Sequence, residues 1–506
     1  MRNCLSSFSE EKEKKMIRSD LLVQVFAALL SAFALCSPSV AAESASIGNI
    51  RHIVVIYAEN RSFDNLYAMF PGANGIASAL ANYIPQADHD GTAFAVLPPV
   101  WANEKDLKSR ETDPTFPATL PNRPFRIDAP PVNSPPDIET RDLVHRFYQH
   151  KEQINEGRND RFVAMSNAGA LVMGYYDGSR LPMWSVARAF TLADNFFMGA
   201  FGGSFLNHFW LVCACTPEYR TAPGEIVAVE DAGGRLARQK DSPKSAMQGP
   251  VLLKDGAVTP DGFAVNTLQP PYQPSGIAPA AGGDPALADP GNPRRLPPQR
   301  MKTIADTLAD AGISWAWYAG NWKRALADRS VIYNANDVNF QAHHQVFNYF
   351  EKFAPGTANR ERYLRDGEEF LAAIDAGTLP QVAFYKPTAK LNEHPGYTDI
   401  LSGDRHIAEV IARIRNNPKL WGEVAIIVTY DENGGFWDHV APPPGDRWGP
   451  GSRVPTIIVS PFARKGAVDH TAYDTTSILK FITLRFNLEP LPGVRANAGD
   501  LTNAFE

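Results

Sequence analysis

The stretch "IIVTYDENGGFWDHVAPP" (residues 426–443) opens as an apolar, β-branched run, then meets Asp431, Glu432 and Asn433 followed by Gly434 and Gly435. An unbroken run of this kind predicts a strand covered on both faces, as parallel sheets require. Open parallel sheets gather ligands beyond the carboxyl ends of their strands, which is where the two acids fall. The glycines let the chain turn close to whatever those acids hold.

Working outward, "HIVVIYAEN" (52–60), "ISWAWYAG" (313–320), "QVAFYKP" (381–387), the extended run "VAIIVTYDEN" (424–433) and "VPTIIVSPF" (454–462) read as buried strands. Helix-patterned segments alternate with them: "KTIADTLADAG", "GEEFLAAIDAGTL" and "DRHIAEVIARIRNN" precede strands, and "TTSILKFITLRF" follows the last. The alternation predicts an α/β fold, a mostly parallel sheet between two helical layers. Stretches near 85–142 and 217–300 are crowded with Pro, Gly and Ala and read as loop or cap insertions into one catalytic domain, residues 43–506.

With 506 residues, 44% of them hydrophobic, the chain can bury a large core, and a net charge of −6 offers no sequence-wide reason to expect nucleic acid. Residues 1–42 have a charged front, an apolar run and small residues ending at Ala41 and Ala42. They read as a secretory signal peptide, starting at Met1 or Met16, and the run is short of the ~20 residues that span a bilayer. The mature protein is therefore expected to be periplasmic or secreted, without a stable transmembrane anchor. Of four cysteines, Cys213 and Cys215 lie outside the leader. A bridge between two cysteines in one strand-like run would need strained geometry, which predicts two buried thiols rather than a bridge.

Glu59-Asn60 and Asp431-Glu432 end two of the strands. If those strands are neighbours, three carboxylates and an amide oxygen share one sheet edge. Such crowding suits one hard or borderline divalent metal ion, its identity open; the plain alternative is a turn cap plus a solvated acid. In "FMGAFGGSFLNHFWL" (197–211), Ser204 follows two glycines and opens an aromatic run that reads as a helix. It stands as an ordinary N-cap or as a nucleophile beside open backbone N–H groups. "CTPEYR" nearly matches the sulfatase Cys-x-Pro-x-Arg pattern, but Tyr219 holds the fifth place and Arg220 comes one late. Among 11 histidines, His145, His343, His344, His394 and His439 have suggestive settings for binding phosphate or protonating a leaving group as imidazolium.

Taken in order, "HIVVIYAENRSFDNLYAMFPGANGI", "GGSFLNHFW", "NEHPGYTDILSGDRHI", "VTYDENGGFWDHVAPP" and "VPTIIVSPFARKGAVDHTAYDTTSILKFI" resemble the bacterial phosphoesterase family of phosphatidylcholine-type phospholipases C and secreted acid phosphatases. The resemblance implies an alkaline-phosphatase-like three-layer fold and hydrolysis through a phosphoserine. It implies Glu59, Asn60, Ser204, Asp431 and Glu432 as metal ligands, with Ser204 also the nucleophile. It makes His343, His344 and His394 catalytic, and His145, His344 and His394 substrate-binding, with His150 an alternative to His145. Phospholipases C carry threonine in a "GPT-x-PNR" context where this chain has "GGSFLNH", which favours an acid phosphatase acting on small phosphomonoesters at acidic pH. The alternatives are a phospholipase C-type diesterase acting on phospholipid headgroups and a secreted binding module whose metal is structural.

Overall fold

The computed structural model describes residues 45–103 and 106–506; the signal peptide reading falls outside them. Eight strands form one sheet: β1 (His52–Ala58), β2 (Thr191–Ala193), β3 (Trp315–Ala319), β4 (Leu364–Asp366), β5 (Val382–Lys386), β6 (Val424–Tyr430), β7 (Thr456–Val459) and β8 (Ala467–Asp469). Their order is β8-β2-β7-β6-β1-β5-β3-β4. Every pairing is parallel except those of β7, which runs against both β6 and β2. β6 is buried along its whole length, as its unbroken apolar run predicts.

Among the helices that cover the sheet are α1 (Pro182–Ala189), α2 (Ser204–Cys213), α3 (Ile304–Asp310), α4 (Gly367–Ala376), α5 (Ile400–Asn416) and α6 (Thr475–Phe486). Alternate side chains of a strand point to opposite faces, and the rings show which helix lies where. Tyr385 stacks on Phe370 of α4 and reaches His406 of α5, whereas Trp317 and Tyr57 meet His208 of α2. α5 packs with α1 and α4 on one face, and α2 with α3 and α6 on the other. The α/β three-layer architecture expected from the strand–helix alternation is present.

Three strands were not legible in the sequence: β2, β4 and β8 are three residues each, too short to show a period. The stretch 217–300 contains turns, two short 3-10 turns and isolated bridges, and 85–142 adds short two-residue strand pairs. No helix among the described residues is long and apolar enough to cross a membrane.

The cysteine expectation is overturned. Cys213 and Cys215 form a disulfide with their Cα atoms 5.1 Å apart. The segment is the end of α2 rather than a strand, and Ala214, left-handed at φ 47°, folds the chain back so that both side chains meet. Cys215 is thereby committed, which also removes the residue that the sulfatase-like pattern would convert.

Candidate active site

Register sets the site. Ala58 pairs with Tyr430, and Ile56 pairs with Tyr385, so β1, β5 and β6 release Glu59, Lys386 and Asp431 at the same sheet edge. Asp431 N donates to Ala58 O, Asn60 N to Asp431 Oδ1 at 3.3 Å, and Glu432 N to the same oxygen at 2.8 Å. A Cβ on Gly434, whose φ is 63°, would lie 2.3 Å from Asn60 O. The first glycine is thus required for the two acidic loops to touch.

Ser204 is the first residue of α2 and donates from Oγ to Asn60 Oδ1 at 3.2 Å. Gly203, not Ser204, is the N-cap, so the plain capping role fails for this serine. The loop before it is rigid: Ala200 N donates to Asn207 Oδ1 at 2.9 Å, and Gly202 N to His150 Nδ1 at 3.0 Å. With His150 Nε2 also 2.9 Å from Ser452 Oγ, His150 is a buried fastener, and His145 is the histidine that faces the cavity.

That cavity has a volume of about 650 Å³. Ser204, His145, His343 and His394 line it, with Asp142 and Leu107 from the first insertion and Val251, Leu253 and Asp255 from the second. Glu59, Asn60, Asp431 and Glu432 lie beneath, all at 0% exposure. His344, expected to bind substrate, is set back from the cavity wall. Its Nε2 meets Glu59 Oε1, and its 2% exposure places it behind the acid rather than before a substrate.

Glu59 is the most heavily held of these groups. Asn392 Nδ2 and Tyr397 OH both donate to its Oε2 at 2.9 Å, and Lys386 Nζ sits 2.8 Å from Oε1. Lys386 stands between Glu59 and Asp431, 3.5 Å from Asp431 Oδ2. Sequence reasoning missed it, along with Asn392 and Tyr397. The signal was a lysine ending an otherwise buried strand pattern, and polar residues beside His394 in "NEHPGY".

The ionisation of these groups follows from burial set against neighbours. Burial would raise Glu59, but His344 and Lys386 pull it well below the ordinary carboxylate value. Burial lifts Asp431 to about 6 against the opposing pull of Lys386, and it lifts Glu432 well above its usual range despite His145. Burial pushes His343, His344 and His394 below 6.5, His344 to about 4, which opposes the imidazolium form expected of them. His145 differs: burial opposes its charge, yet Glu432 and Asp142 raise it to about 9.

A divalent ion fits this donor set. The carboxylates of Glu59, Asp431 and Glu432, the Asn60 amide oxygen and the Ser204 hydroxyl offer oxygen ligands. Glu432 Oε1 is buried without a hydrogen-bond partner, a cost that an ion would remove. Glu59, His343 and His344 also present donor atoms within 4.8 Å of one another. Asp64, Asp438 and His439 form another such group, but Arg453 fills it, 3.1 Å from Asp64 and 2.8 Å from Asp438. His439 therefore belongs to a structural ion-pair network that fastens the loop after β6.

A model described as the phosphoesterase family matches residues 50–489. A non-hemolytic phospholipase C of Burkholderia pseudomallei is 26% identical over 508 residues, which cover 91% of this chain and 59% of that protein. Phospholipase C B of Mycobacterium tuberculosis is 26% identical over 498 residues, covering 90% and 78%. The chain thus spans about three-fifths of the Burkholderia relative's length. Among solved structures, a protein in the alkaline phosphatase superfamily from Vibrio parahaemolyticus is similar at 9% identity and a TM-score of 0.32, over 75% of each chain.

Proposed function

Because the chain belongs to the phosphoesterase family, we propose that it is a metal-dependent phospholipase C-type hydrolase, cleaving the phosphodiester of a phospholipid headgroup through a phosphoserine on Ser204. The observation that carries the reading is Ser204, at the start of α2, hydrogen-bonded to Asn60 above a buried carboxylate cluster and opening into the cavity. The names of the relatives favour the diester over the monoester, and Leu107, Val251 and Leu253 give the cavity an apolar side suited to the glycerol end of a lipid.

Glu59, Asn60, Ser204, Asp431 and Glu432 would hold the divalent ion, which when bound supplies positive charge that favours the Ser204 alkoxide and offsets charge on phosphoryl oxygens. Ser204 Oγ gives its proton to solvent water and forms a bond to phosphorus as the bond to the diacylglycerol oxygen breaks. His145, His343 and His394 share the cavity wall with Ser204 and donate N–H groups to phosphoryl oxygens, and His145, the one held charged, passes a proton to the departing oxygen. His145 takes a proton back from solvent afterwards. Water then attacks the phosphoserine, freeing the phosphorylated headgroup and returning the proton to Ser204. The disulfide accords with the oxidising, periplasmic or extracellular setting that the leader-like start suggests.

A second reading, an acid phosphatase acting on monoesters, rests on the serine in "GGSFLNH". Purified protein assayed with phosphatidylcholine, p-nitrophenylphosphorylcholine and p-nitrophenyl phosphate separates the two. Preference for the diesters supports the proposal, and turnover of the monoester alone overturns it. No hydrolysis of any of them, with metal bound, would leave the binding module.

A further inference from the structure

Lys386 is completely buried, and its surroundings are chosen for a charge. Nζ lies 2.8 Å from Glu59 Oε1, 3.5 Å from Asp431 Oδ2 and 3.5 Å from Ala58 O, with the Tyr57 ring centroid 5.3 Å away. A buried ammonium is tolerated only when paired and hydrogen-bonded, and removing one partner of such a pair leaves the other uncompensated. The residue closes β5, next to β1 and one strand removed from β6, so the central strands of the sheet position its ammonium between the two acids.

Charge shows what this position does. Ionised Glu59, Asp431 and Glu432 bring three negative charges, more than one divalent ion neutralises. With His145 and its partner Asp142, 3.4 Å apart, cancelling each other, one ammonium and one divalent ion balance them. The space between Glu59 and Asp431, where a second ion would meet both acids, is filled by the Lys386 ammonium, which is rooted in a strand. We propose that Lys386 is a positioning residue, a built-in counterion that keeps Glu59 and Asp431 in place and restricts the carboxylate cluster to a single divalent ion. The inference rests on the metal-dependent reading above.

The test compares the full-length chain with K386M and K386R, each stripped by chelator and then reloaded with Ca²⁺, Mn²⁺ or Zn²⁺ separately. Melting temperature and metal content per chain are read. Wild type should take up one ion. K386M should lose roughly twice as many degrees stripped as loaded, because the ion replaces part of the missing charge, whereas K386R should keep the wild-type gap between the two states. Should K386M not fold, the stripped K386M/E59Q double variant, which removes one charge of each sign, should recover a folded transition. Failure of that pair to fold while E59Q alone folds would overturn the proposal. So would equal losses in both states, or two ions per wild-type chain, and both results leave the metal reading standing. A wild type that no ion binds or stabilises overturns both.

Discussion

Ser204 Oγ and Asn60 Oδ1 are joined by a 3.2 Å hydrogen bond, although 144 residues of chain separate them. The contact ties the first turn of α2 to the loop leaving β1, and Asn60 is tied in turn to Asp431 at the end of β6. A hydroxyl, an amide and the carboxylates thus converge from three elements of the sandwich, and the site depends on the loops keeping that approach.

At Gly434 the loops pass too close for a side chain. An alanine there would place its Cβ 2.3 Å from Asn60 O in a backbone conformation that L-residues disfavour. G434A is expected to destabilise the protein by about 2 kcal/mol through strain and backbone displacement, and to lower kcat more than KM. Denaturant unfolding and steady-state kinetics check both; wild-type stability in G434A would show that the loops do not need this contact.

The network behind the site carries a pH signature. Burial opposes the His439 charge, but Asp64, 2.7 Å from Nδ1, raises its pKa above 6.5, while the same pairing lowers Asp64 against the effect of burial. A histidine raised in the folded state adds stability that is whole below its unfolded value and is lost as pH rises through the folded one. A depressed carboxylate adds stability present above its unfolded value and lost as pH falls through its folded value. Wild type should therefore exceed H439Q by about 2 kcal/mol near pH 5.5, and the margin should shrink at alkaline pH. Unfolding curves across pH read the margin; a constant one would deny the ion pair.

The acids predict how the ion is held. D431N/E432Q should bind a divalent ion more weakly by roughly a hundredfold or more, and its melting temperature should cease to respond to chelator. Calorimetric titration of stripped protein measures the first and a thermal shift assay the second. Unchanged affinity would move the ion to Glu59, His343 and His344, whose donor atoms also cluster.

Much of this arrangement was legible because burial leaves a pattern. The β-branched runs of β1, β5 and β6 marked the centre of the sheet, and the acids after them marked its working edge. Strand direction carries no such pattern, so the reversed β7 was not readable. The Cys213–Cys215 bridge depends on the left-handed Ala214, a backbone detail that composition conceals. His344 reads like His343 in sequence, yet a step of one residue within a 3-10 turn places the first on Glu59 and the second in the cavity. Lys386 was not singled out because its partners, Glu59 and Asp431, lie far off in the chain.

The central claim is that Ser204 is the group that attacks phosphorus. The most direct measurement is the turnover of S204A on p-nitrophenylphosphorylcholine, with metal content determined on the same preparation. The account predicts retained metal and a rate lower by roughly four orders of magnitude or more. A fully loaded S204A that hydrolyses the diester near the wild-type rate would contradict it.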